Sequence, residues 1–120
     1  MHNIDTMWEI NSTIEFEQWF EIQSNQNKTA ILQRVILLKN FGPHLARPYA
    51  DVLHGSKYRN LKELRVQTQR SVLRIVYCFD YERKCFLLTA GDKKGKNEKQ
   101  FYKKLIQEAE QIIEDNKIRT

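Results

Sequence analysis

A change in the spacing of apolar residues near residue 61 constrains the fold more than any other feature of the sequence. Before it, apolar residues recur at the three- and four-residue intervals of helix faces. After it, residues 61–68 alternate between two sets of side chains, and residues 72–79 and 84–90 are strongly apolar runs separated by a polar turn. This order predicts a meander of three antiparallel strands that follows helical segments.

Two helices are predicted before the meander and one after it. Ser12 and Glu15 have capping-box spacing, which indicates a helix start ahead of an aromatic stripe at Phe16, Trp19 and Phe20. A polar break at residues 25–27 separates it from a second helix, which we expect to end at Gly42 and Pro43. The third helix should start near Asn97. The buried face of the second helix is predicted to comprise Ile31, Leu32, Val35, Ile36 and Leu38.

The remaining segments complete an α+β domain. Residues 7–10 alternate in polarity and predict a short N-terminal strand, whereas residues 44–60 are rich in turn residues and predict irregular surface chain. A chain of 120 residues has room for one core. We therefore expect one domain over residues 1–120, with a small antiparallel sheet of meander plus N-terminal strand, two N-terminal helices and one C-terminal helix.

Composition limits the functional classes. The chain starts without a secretory signal pattern and has no apolar run of membrane-spanning length, so we expect a cytoplasmic protein without membrane contact. A two-residue loop at residues 81–82 would place Cys78 opposite Cys85, and both thiols are expected to stay reduced. No Cys/His cluster has metal-ligand spacing, so no metal or other cofactor is expected.

The basic residues are unevenly distributed along the chain. The first 27 residues contain five acidic side chains and no Lys or Arg, whereas the rest holds all 20 basic side chains against ten acidic ones. Such asymmetry favours a surface that binds a polyanion. Basic side chains that only keep the protein in solution are an equally good explanation of the charge alone.

A pair of arginines gives the first specific hypothesis. A two-residue loop at residues 69–70 would place Arg65 directly opposite Arg74 on neighbouring strands. Like charges at opposite positions destabilise a sheet unless a carboxylate or a bound anion offsets them. Glu63, on the same strand face as Arg65, could form an ordinary ion pair with it. Because the guanidinium fork matches two phosphate oxygens, the alternative is a phosphate site.

Lysines are concentrated where the last strand passes into the last helix. The segment at residues 91–99, GDKKGKNEK, contains Lys93, Lys94, Lys96 and Lys99. A helix N-terminus normally favours acidic neighbours, so lysines there add to a positive field that suits a phosphate ligand. A solvated lysine loop is the alternative.

Four segments together resemble the HigB-like, phage-derived branch of the RelE/ParE toxin superfamily. They are GPHLARPY at 42–49, KELR at 62–65, LRIVY at 73–77 and LLTAGDKK at 87–94. The resemblance implies a RelE-like fold and a toxin of a type II toxin–antitoxin system. It also implies metal-independent cleavage of messenger RNA, on the ribosome, by attack of a ribose 2′-hydroxyl on the adjacent phosphate. The implied partners are a helix-turn-helix, HigA-like antitoxin, mRNA and the ribosome, with operator DNA reached only through the antitoxin complex.

The resemblance also assigns residues. It implies that Arg74 binds the scissile phosphate and that Arg65 is a second phosphate ligand or a structural partner of Glu63. Lys93 and Lys94 would stabilise charge. The expected RNA-binding rim comprises Lys57, Arg59, Lys62, Lys96 and Lys99. His54 and Tyr102 are weak candidates, and Tyr102 is expected to be half-buried.

The sequence departs from the family pattern at two points. Asp92 stands where many relatives have an aromatic residue, and no histidine occurs in the last strand, so the proton-transfer roles stay unassigned. Two alternatives remain open. One is a ParE-like inhibitor of DNA gyrase, and the other is a non-catalytic module that binds an antitoxin or operator DNA.

Overall fold

The computed structural model describes residues 7–120, and its centre is one five-stranded sheet. The elements in chain order are β1 (Ile10–Ser12), α1 (Ile14–Glu21), α2 (Asn25–Phe41), a short 3₁₀ helix (Gly42–His44), β2 (Ala50–Val52), β3 (Lys62–Gln67), β4 (Val72–Phe79), β5 (Cys85–Asp92) and α3 (Glu98–Asp115). The strand order is β1-β5-β4-β3-β2. The predicted α+β class, the meander β3–β4–β5 and the three helices are confirmed.

The sheet itself differs from the prediction in two ways. It is mixed, because β1 pairs with β5 in parallel, whereas an antiparallel sheet was expected. It also contains β2, which pairs antiparallel with β3 in a segment predicted to be irregular. With only three residues, β2 is too short to show alternation, and its partner residues lie 10 to 14 positions further along the chain.

The first strand was predicted at residues 7–10 and lies instead at Ile10–Ser12. The backbone N–H of Trp8 donates to the carbonyl of Lys39 near the end of α2, which draws the chain away from the sheet at this point. Parallel pairing begins where Cys85 N–H donates to the carbonyl of Glu9 and ends where Thr13 N–H donates to Leu87. Hydrogen bonds to β5 therefore set the strand bounds.

Both N-terminal helices start at positions that differ from the prediction. Thr13, not Ser12, caps α1, and its hydroxyl accepts from the backbone N–H of Phe16. Ser24 caps α2, so the predicted polar break at residues 25–27 is the first turn of that helix. Asn27 is buried there because its side chain donates to Ser71 and accepts from Thr68 in the β3–β4 hairpin.

The predicted face of α2 is confirmed only along its centre. Ile31 and Leu38 are fully buried, but Leu32 and Ile36 are more than half exposed and do not broaden the buried face. The end of the helix at Gly42 is confirmed, with a φ of 55° that glycine adopts without a steric cost.

The sheet separates two apolar clusters. Side chains such as Leu64, Ile75 and Tyr77 pack with α1 and α2 on one face, and Val76 and Leu88 pack with α3 on the other. No helix described here is long and apolar enough to cross a membrane.

The two cysteines belong to opposite clusters, Cys85 to the first and Cys78 to the second. Their predicted pairing was wrong by one residue, because Cys85 is opposite Phe79. The turn from Asp80 to Lys84 is longer than the assumed two-residue loop, and Asp80 Oδ1 organises it by accepting from the N–H groups of Glu82 and Lys84.

Candidate functional site

Arg65 and Arg74 lie directly opposite each other on β3 and β4, as predicted. Opposite residues of an antiparallel pair project their side chains from the same face of the sheet, and this is the face that α3 covers. Thr68 N–H donates to the carbonyl of Ser71, which closes the two-residue loop and fixes this register. The two guanidinium groups differ in accessibility, since the side chain of Arg65 is 27% exposed and that of Arg74 only 5%.

One carboxylate serves both arginines. Glu63 is 4% exposed, and its Oε1 lies 3.6 Å from Nε of Arg74. Its Oε2 lies 3.8 Å from Nη1 of Arg65. Glu63 is thus a partner of both guanidinium groups rather than of Arg65 alone. A single negative charge between two positive ones leaves the group with a positive excess that an anion can balance.

Tyr102 on α3 connects these side chains. Its hydroxyl donates to Oε1 of Glu63 over 2.7 Å and accepts from Nε of Arg74 over 3.1 Å. Burial, followed by the hydrogen bond to Glu63, raises the pKa of Tyr102 to about 12. The phenol therefore stays protonated at neutral pH and holds Arg74 in place. The structure confirms that Tyr102 is half-buried.

Arginines from four segments line one cleft of about 410 Å³. Its lining consists of Arg34, Arg47, Pro48, Tyr49, Arg65, Gln67 and Arg74. Arg34 and Arg47 were not among the predicted site residues. Arg34 follows Ile31 by three residues and precedes Leu38 by four, so a charged side chain on the predicted buried face of α2 was the available signal. Arg47 falls within the family-like segment at residues 42–49.

Lys93 lies beside Tyr102, the residue that binds Arg74, whereas Lys94 is exposed in the turn after β5. Lys93 Nζ lies 2.7 Å from Oε1 of Glu98 and 5.7 Å from the ring centre of Tyr102. The bond to Lys93, with smaller contributions from Arg74 and Arg65, lowers the pKa of Glu98. The positive charges of Lys93 and of the two arginines therefore all act on the same carboxylate, that of Glu98. Lys94 is exposed, and its backbone N–H donates to Asp92.

The side chain of Asp92 stabilises the turn that follows β5. Its Oδ1 accepts from the backbone N–H groups of Val72 and Lys94, each over 3.0 Å. The carboxylate thereby ties the start of β4 to the end of β5.

Comparison with known proteins identifies the family. Residues 18–114 match the model of a family described as phage derived protein Gp49-like. The chain belongs to this Gp49-like family. Two proteins of Mycobacterium tuberculosis that are named as toxins are homologous to it. HigB3 is 35% identical over 101 residues, which cover 84% of this chain and 86% of HigB3. HigB2 is 31% identical over 99 residues, which cover 82% of this chain but only 49%, about half, of HigB2.

Solved structures confirm the RelE-like fold of this Gp49-like protein. The toxin RelE of E. coli, a variant with two arginines replaced by alanine in the free state, superposes with a TM-score of 0.58 at 12% identity. The match covers 83% of this chain and 98% of RelE. RelE in an archaeal RelE–RelB complex from Pyrococcus horikoshii gives a TM-score of 0.55 at 12% identity, over 75% and 99% of the two chains.

The other predicted site residues of the Gp49-like chain lie on several surfaces. Lys62 is on the opposite face of the sheet from Arg65, and its Nζ donates to the carbonyl of Pro43. Lys57 forms an ion pair with Glu114 near the end of α3. Lys96 lies over the ring of Phe101, 5.8 Å from its centre, on a side of α3 that also faces Trp19. Arg59, Lys99 and His54 are exposed.

These positions change the expected shape of the site. The lysines do not form a continuous rim around one opening, because Lys62 and Lys96 face other surfaces than Arg65 does. The four arginines, in contrast, line a single cleft. Among residues 7–120, no three His, Cys, Asp or Glu side chains are grouped as metal ligands.

Proposed function

We propose that this protein is the toxin of a type II toxin–antitoxin pair and that it cleaves messenger RNA during translation, in the cytoplasm. Homology to HigB2 and HigB3, both named as toxins, supports the first part. The second part, cleavage of messenger RNA, rests on one observation: Arg65 lies opposite Arg74 in a cleft lined by four arginines. Within residues 7–120, Glu63 is the one carboxylate that forms an ion pair with either arginine, so the pair keeps a positive excess and the cleft suits a phosphodiester.

The proposed chemistry is attack by a ribose 2′-hydroxyl on the neighbouring phosphate, which forms a 2′,3′-cyclic phosphate and breaks the bond from phosphorus to the 5′-oxygen of the next nucleotide. The 2′-hydroxyl gives up its proton to water, and the departing 5′-oxygen takes one up from water. The oxygens of that phosphate gain negative charge as the bond forms, and fixed positive groups stabilise this state. In this proposal Arg65 binds the phosphate directly, which its greater exposure supports. Arg74 uses Nε and Nη1 for Tyr102 and the carbonyl of Leu73, which leaves Nη2 for the substrate.

Lys93 is the third charge in this proposal, since it lies beside Tyr102 and Glu98. Lys94 is exposed and contributes further positive charge to the electrostatic field at the site. Guanidinium and ammonium groups supply the positive charge, so the reaction calls for neither a metal nor another cofactor. Tyr102 has a pKa of about 12, which suits positioning of Arg74 better than proton abstraction at neutral pH.

The decisive experiment is induction of the wild-type protein and of Arg65→Gln in growing cells. Wild type should arrest growth and shorten message half-lives, and Arg65→Gln should slow cleavage by about 10²- to 10³-fold while remaining folded. Arg119→Gln is the matched control, because Arg119 is an exposed arginine near the C-terminus. Stable messages on wild-type induction would contradict the proposal. DNA-damage signalling with intact messages would point to gyrase, and binding without cleavage in a purified translation system to a non-catalytic module.

The proposal includes a partner antitoxin of the helix-turn-helix, HigA-like kind, through which operator DNA would be bound. The support is the homology to toxins and a fold shared with the RelE of a RelE–RelB complex. Co-expression with the product of the neighbouring open reading frame should restore growth and give a complex that purifies together. A neighbouring product that neither restores growth nor purifies with the toxin would remove this part of the proposal.

A further inference from the structure

Tyr49 is the exposed aromatic residue of the arginine cleft. It is 42% exposed and lines the cleft with Arg65 and Arg74. Its carbonyl accepts from the backbone N–H of Arg65 over 2.8 Å, so Tyr49 lies beside Arg65 at the start of the β2–β3 pairing. Arg65 is in turn opposite Arg74. Two strand spacings, about 10 Å, therefore separate the backbone of Tyr49 from that of Arg74.

Arg34 supports the ring of Tyr49 from α2. Its Cζ lies over the ring, 4.7 Å from the centre. Nε and Nη1 of Arg34 are buried and have no hydrogen-bond partner within the part of the chain described here. Buried N–H groups without hydrogen-bond acceptors are costly, and the contact with an aromatic face offsets part of that cost. Arg34 thus occupies one face of the ring and restricts its orientation.

We propose that Tyr49 is a stacking platform for the nucleobase next to the phosphate held by Arg65 and Arg74. The inference rests on the proposed action on RNA and adds a subsite for a base to a site so far described by its charges. Proteins bind single-stranded nucleic acids by stacking the bases on exposed aromatic rings. The ring of Tyr49 suits this role, because a cation holds one of its faces and the rest is exposed. The backbones of Tyr49 and Arg65 are one strand spacing apart, about 5 Å, so a single nucleotide can place its phosphate on the arginine and a neighbouring base on the ring.

The subsite selects single-stranded RNA over a duplex. A base can lie on Tyr49 only when it is unstacked from its own strand, which a paired helix does not allow without opening. The arginines would then hold the backbone, and the tyrosine one base. Stacking tolerates any base, so the platform adds affinity and positions the strand with little sequence preference.

The test is binding of the intact protein to a short single-stranded RNA with 2′-O-methyl riboses, which lack the attacking hydroxyl. Tyr49→Leu should weaken binding about tenfold, the order expected for one lost base–aromatic stack. Tyr49→Phe keeps the ring and should bind within about twofold of wild type. With an oligonucleotide of the same length whose bases are removed, wild type and Tyr49→Leu should bind equally, since only backbone contacts remain.

Tyr81→Leu is the matched control, because Tyr81 is 78% exposed and lies in the β4–β5 turn. It should leave binding unchanged, and circular dichroism should show that all variants are folded at the temperature of the binding measurement. Equal binding by Tyr49→Leu and wild type, an equal loss on the abasic oligonucleotide, or no binding of wild type to either probe would overturn the inference. Message half-lives after induction test the nuclease separately, so Tyr49-dependent binding without message decay would overturn only the proposed cleavage.

Discussion

The hydroxyl of Tyr102 donates a 2.7 Å hydrogen bond to Oε1 of Glu63, and this bond joins α3 to β3 beside the arginine pair. The same hydroxyl accepts from Nε of Arg74, so it lies between a carboxylate and a guanidinium. Glu63 offsets the positive charge of Arg74, whereas Tyr102 holds the guanidinium group of Arg74 in position. Substitutions at the two positions should therefore have different consequences.

Replacement of Glu63 by glutamine should destabilise the protein by about 3 kcal/mol, because it leaves the 5%-exposed side chain of Arg74 without its counter-charge. The free energy of unfolding in urea is the measurement. Glu82→Gln is the control, since the ion pair between Glu82 and Lys84 has a 73%-exposed carboxylate and its loss should leave the free energy of unfolding nearly unchanged. Equal losses in the two variants would show that Glu63 does not stabilise Arg74.

Tyr102→Phe should slow message cleavage severalfold while the affinity for uncleavable RNA stays near that of wild type. The ring remains, but Arg74 loses the acceptor that orients it, at a cost of about 1–2 kcal/mol in unfolding free energy. The comparison is Tyr58→Phe, which removes a hydroxyl bonded to Glu114 near the other end of α3. A matching fall in RNA affinity for Tyr102→Phe would mean that the hydroxyl contacts the substrate instead of positioning Arg74.

The free energy of unfolding should fall in alkaline solution. Burial raises the pKa of Cys78 to about 11, and burial with the bond to Glu63 raises the pKa of Tyr102 to about 12. Unfolded thiols and phenols titrate near pH 9 and 10, so unfolding releases protons above those values. The stabilising contribution is complete below about pH 9 and is lost as pH rises towards 11 and 12. Each group steepens the decline by at most about 1.4 kcal/mol per pH unit.

Urea titrations at a series of pH values measure this decline. Tyr102→Phe should make it shallower above about pH 10, because its share of the released protons disappears. A flat profile for the wild-type protein between about pH 9 and 11 would contradict the buried environment of Cys78.

The thiols of Cys78 and Cys85 should resist both alkylation and disulfide formation in the native state. Both are buried, and burial raises the pKa of each thiol, so little nucleophilic thiolate is present. They also lie in clusters on opposite faces of the sheet. Mass spectrometry after iodoacetamide treatment should find both unmodified until denaturant is added. A Cys78–Cys85 bond formed under mild oxidation would contradict the strand register.

The sequence predicted the arginine pair because its position depends on local geometry. A two-residue loop fixes the register on both sides of it, and this placed Arg65 opposite Arg74. The β4–β5 register failed because Asp80 closes a longer turn, although an Asp at that position was an available signal. Strand β2 could not be predicted, since a three-residue strand is defined mainly by its distant partner.

The residues that surround the arginine pair were harder to predict than the pair itself. Lys93 and Lys96 are close in sequence, but the turn at Gly95, with a φ of 73°, separates them and Lys96 faces the other side of α3. Tyr49 and Arg34 come from separate segments and meet only through tertiary packing. Charge patterning predicted a polyanionic ligand, whereas the shape of the cleft could be seen only in the folded structure.

The end of α2 gives the last prediction. Gly42 has a φ of 55°, and a Cβ at this position would clash with the indole ring of Trp8. Gly42→Ala should therefore cost about 3 kcal/mol, from backbone strain together with displacement of the ring, and should change tryptophan fluorescence. Gly95→Ala separates the two causes, because Gly95 has a φ of 73° but no atom within 4 Å of its added Cβ. That variant should lose only about 1–2 kcal/mol and keep the wild-type fluorescence. If urea unfolding gives equal losses for both variants, contact with Trp8 contributes nothing to the requirement for glycine at position 42.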